Sequence, residues 1–95
     1  MFTFKTEPST GRYRSFYPDQ HYIKWQKKEV GRIDDILPYK IHLAVKIEVT
    51  LEEPAGFKWI CLKKEFQSVK EAKEFLNANF DVIIRQFDLY QFENN

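Results

Sequence analysis

From Tyr39 to Thr50 the chain alternates without a miss. Tyr39, Ile41, Leu43, Val45, Ile47 and Val49 are interleaved with Lys40, His42, Ala44, Lys46, Glu48 and Thr50. A period of two is that of a β-strand whose successive side chains leave on opposite faces, so this segment predicts a strand with one buried and one wet side. Glu52-Glu53-Pro54-Ala55-Gly56 supplies a loop, and Phe57 to Phe66 forms the next strand, antiparallel to the last. That strand is apolar on both sides, with Phe57, Trp59 and Cys61 on one and Lys58, Ile60, Leu62 and Lys64 on the other. Its register stays open: if Ile60 and Leu62 face the core, Phe57 and Trp59 emerge among the lysines.

Upstream, Ile23 and Trp25 alternate with Lys24 and Gln26, and Lys27-Lys28-Glu29 precedes Val30-Gly31-Arg32-Ile33, which reads as a β-hairpin. Gly31 within the second arm predicts a bulge or a close approach of backbones. Asp34 to Pro38 is a connector, because Pro38 has no N–H and biases Leu37 away from helical geometry. Residues 1–20 mix Pro, Gly, Ser and Thr with scattered aromatics and read as a partly ordered N-terminal arm ahead of a domain over 21–95, with Met1 to Lys5 able to add an edge strand. Downstream, Ser68 is an N-cap candidate with Glu71 three residues on, ahead of Val69, Ala72, Phe75, Leu76, Phe80 and Ile83 at helical spacing. The helix either runs to about Phe87 or breaks near Asn77-Ala78-Asn79, and Asp88 to Glu93 is either a last turn or a short strand. The expected fold is α+β: a small antiparallel meander of three to four strands with one C-terminal helix packed on one face.

Composition narrows the class. A chain of 95 residues accommodates one core, and 43% hydrophobic with 17% aromatic residues is ample to build it. Fifteen Lys and Arg face 14 Asp and Glu, so no global field draws the chain to nucleic acid or to an anionic membrane. One cysteine makes no internal disulfide, and no run approaches the roughly 18 to 20 apolar residues that cross a bilayer. The N-terminus lacks the apolar stretch of a secretory signal, so a reducing cytoplasmic setting without membrane attachment is expected.

Catalytic and metal chemistry find little footing. His21 falls in the arm and His42 on the wet side of the central strand, without the HxxxH spacing that puts two imidazoles on one helical face, so both read as surface histidines and no metal or other cofactor is expected. Cys61, inside an apolar strand, reads as a buried structural thiol. Asp34-Asp35 and Glu52-Glu53 read as solvated loop charge. GxGxxG, GxxxxGK[ST] and GxSxG are absent. An enzyme would gain ground only if a pocket gathered His21, His42 or Cys61 with an acidic partner.

Charge is lopsided, since residues 1–46 carry nine Lys or Arg against five acids, and residues 47–95 carry six against nine. If hairpin and central strand pair, Lys24, Gln26, Lys40, His42 and Lys46 share the uncovered sheet face, with Arg12 and Arg14 of the arm nearby and Trp59 as an aromatic anchor. The bland reading is an ordinary solvated sheet face. The functional reading is a docking surface.

The stretch from Trp59 to Leu76, ending in KEFQSVKEAKEFL, resembles the small sheet-and-helix DNA-binding domain of tyrosine-family phage integrases. In that domain a strand ends in F-x-[ST] and an E-A-x-x-[FW]-L helix packs behind three strands. Phe66, Ser68, Glu71, Ala72, Phe75 and Leu76 fit this pattern. Any junction of a strand with a capped helix would show the same spacing, and the Arg and Lys run of that family's first strands is thinner here. Size and architecture also resemble accessory proteins of phages and mobile elements. The expectation is a small non-enzymatic protein-binding module, an inhibitor or adaptor, with a protein as partner and a homodimer compatible with the pattern. The second class is a DNA- or RNA-binding module using the basic sheet face.

Overall fold

The computed structural model describes residues 1–7 and 19–93, and its sheet is wider than the alternation alone implied. Among the described residues, five antiparallel strands lie in sequence order: β1 (Thr3–Glu7), β2 (Gln20–Trp25), β3 (Lys28–Asp34), β4 (Tyr39–Lys46) and β5 (Phe57–Phe66). Two helices follow, α1 (Val69–Ala78) and α2 (Phe80–Gln86). The α+β class and the antiparallel meander are as expected. The count of three to four strands is corrected to five because Thr3 to Glu7 pairs with Lys24 to Gln20 along β2, giving the N-terminal segment a place in the sheet.

The β2–β3 hairpin turns on Gln26 and Lys27, both at positive φ (54° and 68°). Two consecutive left-handed residues are what a tight turn needs to match the twist of its strands. Register then slips at Ile23/Lys24, where Val30 is the extra residue, so Val30 and Gly31 both face the core. Gly31 is opposite Ile23 on β2 and Leu43 on β4. A Cβ there would press on the His42 carbonyl oxygen and lie 2.9 Å from the Leu43 side chain, so the glycine is required by proximity of backbones.

One face of the sheet is apolar: Ile23, Ile33, Ile41 and Leu43 are fully buried, and Ile60 and Leu62 of β5 pack against them. Fully burying each such side chain is worth roughly 1.5 to 3 kcal/mol, so this layer supplies much of the driving force. The β4 reading is corrected at its end. The strand stops at Lys46, and Val49 is 68% exposed because the chain has already left the sheet for the loop before β5.

The helices cover this apolar side. Ser68 caps α1 by accepting a hydrogen bond from the Glu71 amide at 3.1 Å, while the Glu71 carboxylate accepts from the Gln67 amide at 3.2 Å. Ala72 and Leu76 are buried on the inner face, and the Phe66 and Phe75 rings lie 5.2 Å apart. Of the two alternatives open for the helical stretch, the break is the one taken: it falls at Asn79, whose side-chain Nδ2 donates to the Phe75 carbonyl at 2.9 Å and relieves the end of α1, so two helices stand where the expected fold had one. Asn77 clamps the N-terminus: its Oδ1 accepts from the Phe2 amide at 2.9 Å and its Nδ2 donates to the Phe2 carbonyl. Phe2 is accordingly core.

After α2 the chain returns to the sheet. β3 and β4 pair only from Gly31↔Leu43 to Ile33↔Ile41, and the slot where they diverge is filled by residues 88–92. Lys46 N–H donates to Asp88 C=O at 2.8 Å, Tyr90 N–H to Ala44 C=O at 2.9 Å, and Phe92 N–H to Glu29 C=O at 2.9 Å. Leu89 bridges Val45 and is buried. Gln91 Nε2 fixes the far end by donating to Trp25 C=O at 3.1 Å. Among the described residues, no helix is long and apolar enough to cross a membrane.

Replacing Gly31 with Ala should lower stability by about 2 kcal/mol through overpacking against β4, read as a fall in the urea midpoint. An unchanged midpoint would mean that the two backbones are not held this close.

Candidate functional site

The face away from the helices is built by cross-strand pairs. Tyr22 is opposite Arg32, Arg32 opposite His42, His42 opposite Cys61, Ala44 opposite Trp59, and Lys46 opposite Phe57. This settles the open register of β5: Ile60 and Leu62 pack on the core, while Phe57 and Trp59 stand on the open face, Trp59 at 41% exposure. On the other flank of Ala44 the inserted tail turns Leu89 to the core and brings Tyr90 and Phe92 out beside the two β5 aromatics.

Four rings form one cluster. Phe57 stacks on Tyr90 with centroids 4.7 Å apart, and Trp59 stacks on Phe92 at 5.6 Å. Edge contacts of 4.8 Å between Phe57 and Phe92 and 5.1 Å between Tyr90 and Phe92 close it. Offset and edge-to-face packing at these separations suits the ring quadrupoles. Ala44 lies between the two contributing segments and is fully buried despite belonging to the open side, since its methyl leaves room for rings to meet over it.

Arg32 extends the cluster toward β2. Its guanidinium carbon lies 4.6 Å from the Trp59 ring centroid and 5.5 Å from that of Tyr22. Its Nε is buried without a hydrogen-bond partner among the described residues, and Nη2 reaches Glu29 at 3.8 Å. Burial pushes the Glu29 carboxyl above its ordinary value; Arg32 opposes that rise, Glu7 adds to it and Lys24 opposes it. Burial also raises the Tyr22 hydroxyl, with Glu7 adding to the effect. Beside the rings is a shallow open depression of about 230 Å³ lined by Gln20, Arg32, Asp34, His42 and Trp59.

Of the residues singled out in the sequence, Lys24, Lys40, His42, Lys46 and Trp59 do share this face. Gln26 does not: it occupies the hairpin turn, where its Oε1 accepts from Gln91 Nε2 at 3.2 Å. Arg12 and Arg14 lie outside the described residues. The expected basic stripe is largely neutralised. Lys40 faces Glu65 at 3.8 Å, Lys46 faces Asp88 at 3.7 Å, His42 faces Asp34 at 3.8 Å, and Lys24 is opposite Glu29.

Two readings of the titratable groups are corrected. His21 belongs to β2 and is buried at 8% exposure; its Nδ1 is 2.9 Å from Thr6 Oγ1 and its Nε2 3.3 Å from Asp35 Oδ2, which ties edge strand β1 to the β3–β4 connector. Cys61 is exposed, because the odd-numbered side chains of β5 leave on the open face. The depression does gather His42 with Asp34, and Cys61 is opposite His42. The thiol donates to the Leu62 carbonyl at 3.6 Å, and the imidazole–carboxylate separation exceeds a hydrogen bond.

Sequence reasoning missed Arg32, Tyr22 and the meeting of the tail's rings with those of β5. Arg32 follows Gly31 in a bulged strand, where period-two patterning fails, and only the antiparallel pairing puts it beside Trp59. For Tyr90 and Phe92 the available signal was an aromatic at every second position, Tyr90-Gln91-Phe92, after a short helix.

The exposed Cys61 thiol should react stoichiometrically and fast with an aromatic disulfide reagent in the native protein, and a reaction that awaits denaturant would place it inside. For Glu29 the sign follows from its raised value. Its contribution to stability is full below the unfolded pKa and lost as pH rises through the folded one. The stability of Glu29→Gln relative to the native protein should therefore grow as pH rises from about 4 to about 7. A difference in urea midpoint that shrinks over that range would contradict the burial. Comparison of the chain with protein-family models, curated proteins and solved structures found no match.

Proposed function

We propose that this chain is a small non-enzymatic protein-binding module, an inhibitor or adaptor, that docks a partner protein on the open sheet face around Trp59. The observation that carries this reading is the cluster of Phe57, Trp59, Tyr90 and Phe92, with Arg32 against the indole, on a face that no other described element covers. Trp, Tyr and Arg are the residue types that concentrate binding energy at protein interfaces, most of all where apolar contact at the centre is ringed by polar groups. The rim here is of that kind: His42–Asp34, Lys40–Glu65 and Lys46–Asp88 alternate in sign around the rings. Alternating charge favours a partner surface of mixed charge with an apolar centre over a uniformly anionic one.

The same pairing weighs against nucleic acid. An exposed indole beside a guanidinium is a workable stacking platform for a base, but phosphate tracking needs cations free of carboxylates, and the β4 lysines of this face, Lys40 and Lys46, each have one.

A pull-down from the source cell or its host should recover a protein with the native chain. Trp59→Ala should reduce recovery at least tenfold, the loss expected of an interface anchor. Lys70→Ala, on the outer surface of α1, should leave recovery unchanged. Fluorescence titration with a labelled duplex and a labelled single strand should show no binding at low salt. Tight binding whose logarithm falls steeply with log salt would replace the protein partner by nucleic acid, and a Trp59→Ala chain that retains its protein partner would move the docking site elsewhere.

A further inference from the structure

The open face adjoins a feature that the docking reading does not use. β5 is the terminal strand of the sheet, pairs only with β4 among the described residues, and at ten residues is the longest strand. From Phe57 to Cys61, where its register with β4 is regular ahead of the bulge at residues 62–64, its outer rim therefore presents a row of backbone N–H and C=O groups able to form a further ladder. Side chains along this rim have a definite pattern. Toward the helices they are Lys58, Ile60 and Leu62, with the two apolar members only partly buried. Toward the open face they are Trp59 and Cys61, and exposed Lys63 follows in the bulge between Cys61 and Glu65.

Charge on this edge is unbalanced where the open face is not. Lys58 and Lys63 have no ion-pair partner among the described residues, whereas Lys40 and Lys46 on neighbouring β4 each have a carboxylate. Glu65, the strand's one acid, is directed at Lys40. A second copy of this chain would bring the same excess of lysine to the same rim, so the complementary occupant is acidic.

We propose that β5 accepts an extended acidic segment of the partner protein as a sixth strand. Main-chain hydrogen bonds form along residues 57–61, apolar side chains of the segment pack on Ile60 and Leu62, and its carboxylates meet Lys58 and, at the bulge, Lys63. This rests on the docking reading above and names the partner's contribution: one strand that brings its flanking surface over Trp59. Edge addition supplies affinity through the backbone and selectivity through alternate side chains, which fits the apolar pair set beside two free cations.

The test uses the full chain, isotope-labelled, and the acetylated peptide Glu-Val-Thr-Val-Thr-Glu at concentrations up to about 1 mM, the range of weak peptide affinities. Amide shifts should change along residues 57–63, and the counterpart peptide with Lys in place of Glu should bind at least tenfold more weakly. Lys58→Glu combined with Lys63→Glu, both exposed substitutions, should reverse that order. Methylating alternate backbone nitrogens of the peptide should abolish binding for one set and spare the other, since only one set faces the strand. Absence of shifts in β5, or equal binding by both methylated sets, overturns the proposal. A concentration-dependent dimer abolished by the same double charge reversal also overturns it, by putting a second copy on the edge. Loss of the cellular partner in Trp59→Ala but not in the lysine double variant would sink the sixth strand and leave the docking reading standing. Retention by Trp59→Ala would sink the docking reading.

Discussion

The interaction on which the rest of this molecule depends is the return of residues 88–92 into the slot between β3 and β4. β3 and β4 share only a short ladder, because the bulge at Val30 and the turn at Gln26–Lys27 lead the first half of β3 away from β4. Without the tail, the amides of Lys46 and the carbonyls of Ala44 and Glu29 would face a gap in the middle of the sheet. Buried backbone groups left unpaired cost roughly as much as lost hydrogen bonds. Three main-chain hydrogen bonds and the buried Leu89 close it.

That closure also creates the surface. Strand geometry makes successive tail residues alternate, so burying Leu89 forces Tyr90 and Phe92 outward on the side away from the helices. Phe57 and Trp59 arrive there for the mirror reason, because Ile60 and Leu62 are claimed by the core. The meeting of the two pairs over Ala44 is thus a by-product of packing on the opposite face, and a change in core register would dissolve the cluster. Folding and the candidate docking face are coupled through one layer of backbone.

Electrostatics divides the surface into two regimes. On the open face cations and carboxylates interleave, and exposed pairs of this kind each contribute at most about 1 kcal/mol of stability. Glu29 is the exception, drawn into the sheet between Arg32 and the returning chain. Along β5 the interleaving lapses, and Lys58 and Lys63 meet solvent beside an open ladder. Lysines at a sheet edge discourage pairing with like chains.

Local patterning by itself determined the β4 ribbon, the β5 hairpin, the capped start of α1 and the close approach at Gly31, since each is a matter of neighbours within a few residues. The period of two in Tyr39 to Val45, the Ser68–Glu71 spacing and a glycine inside a strand all state their geometry in the chain. The fate of Ile47 and Val49 was not legible, because alternation continues past the point where β4 gives way to the loop. Cys61 and Trp59 could not be placed either, as a strand apolar on both sides has two equivalent registers until a core chooses between them. His21 looked exposed for want of its distant partners Thr6 and Asp35. Only the tertiary structure decided which aromatics meet: Arg32, Trp59 and Phe92 lie far apart in the chain, and what unites them is antiparallel pairing, a long-range hydrogen-bond pattern that no short stretch of sequence encodes.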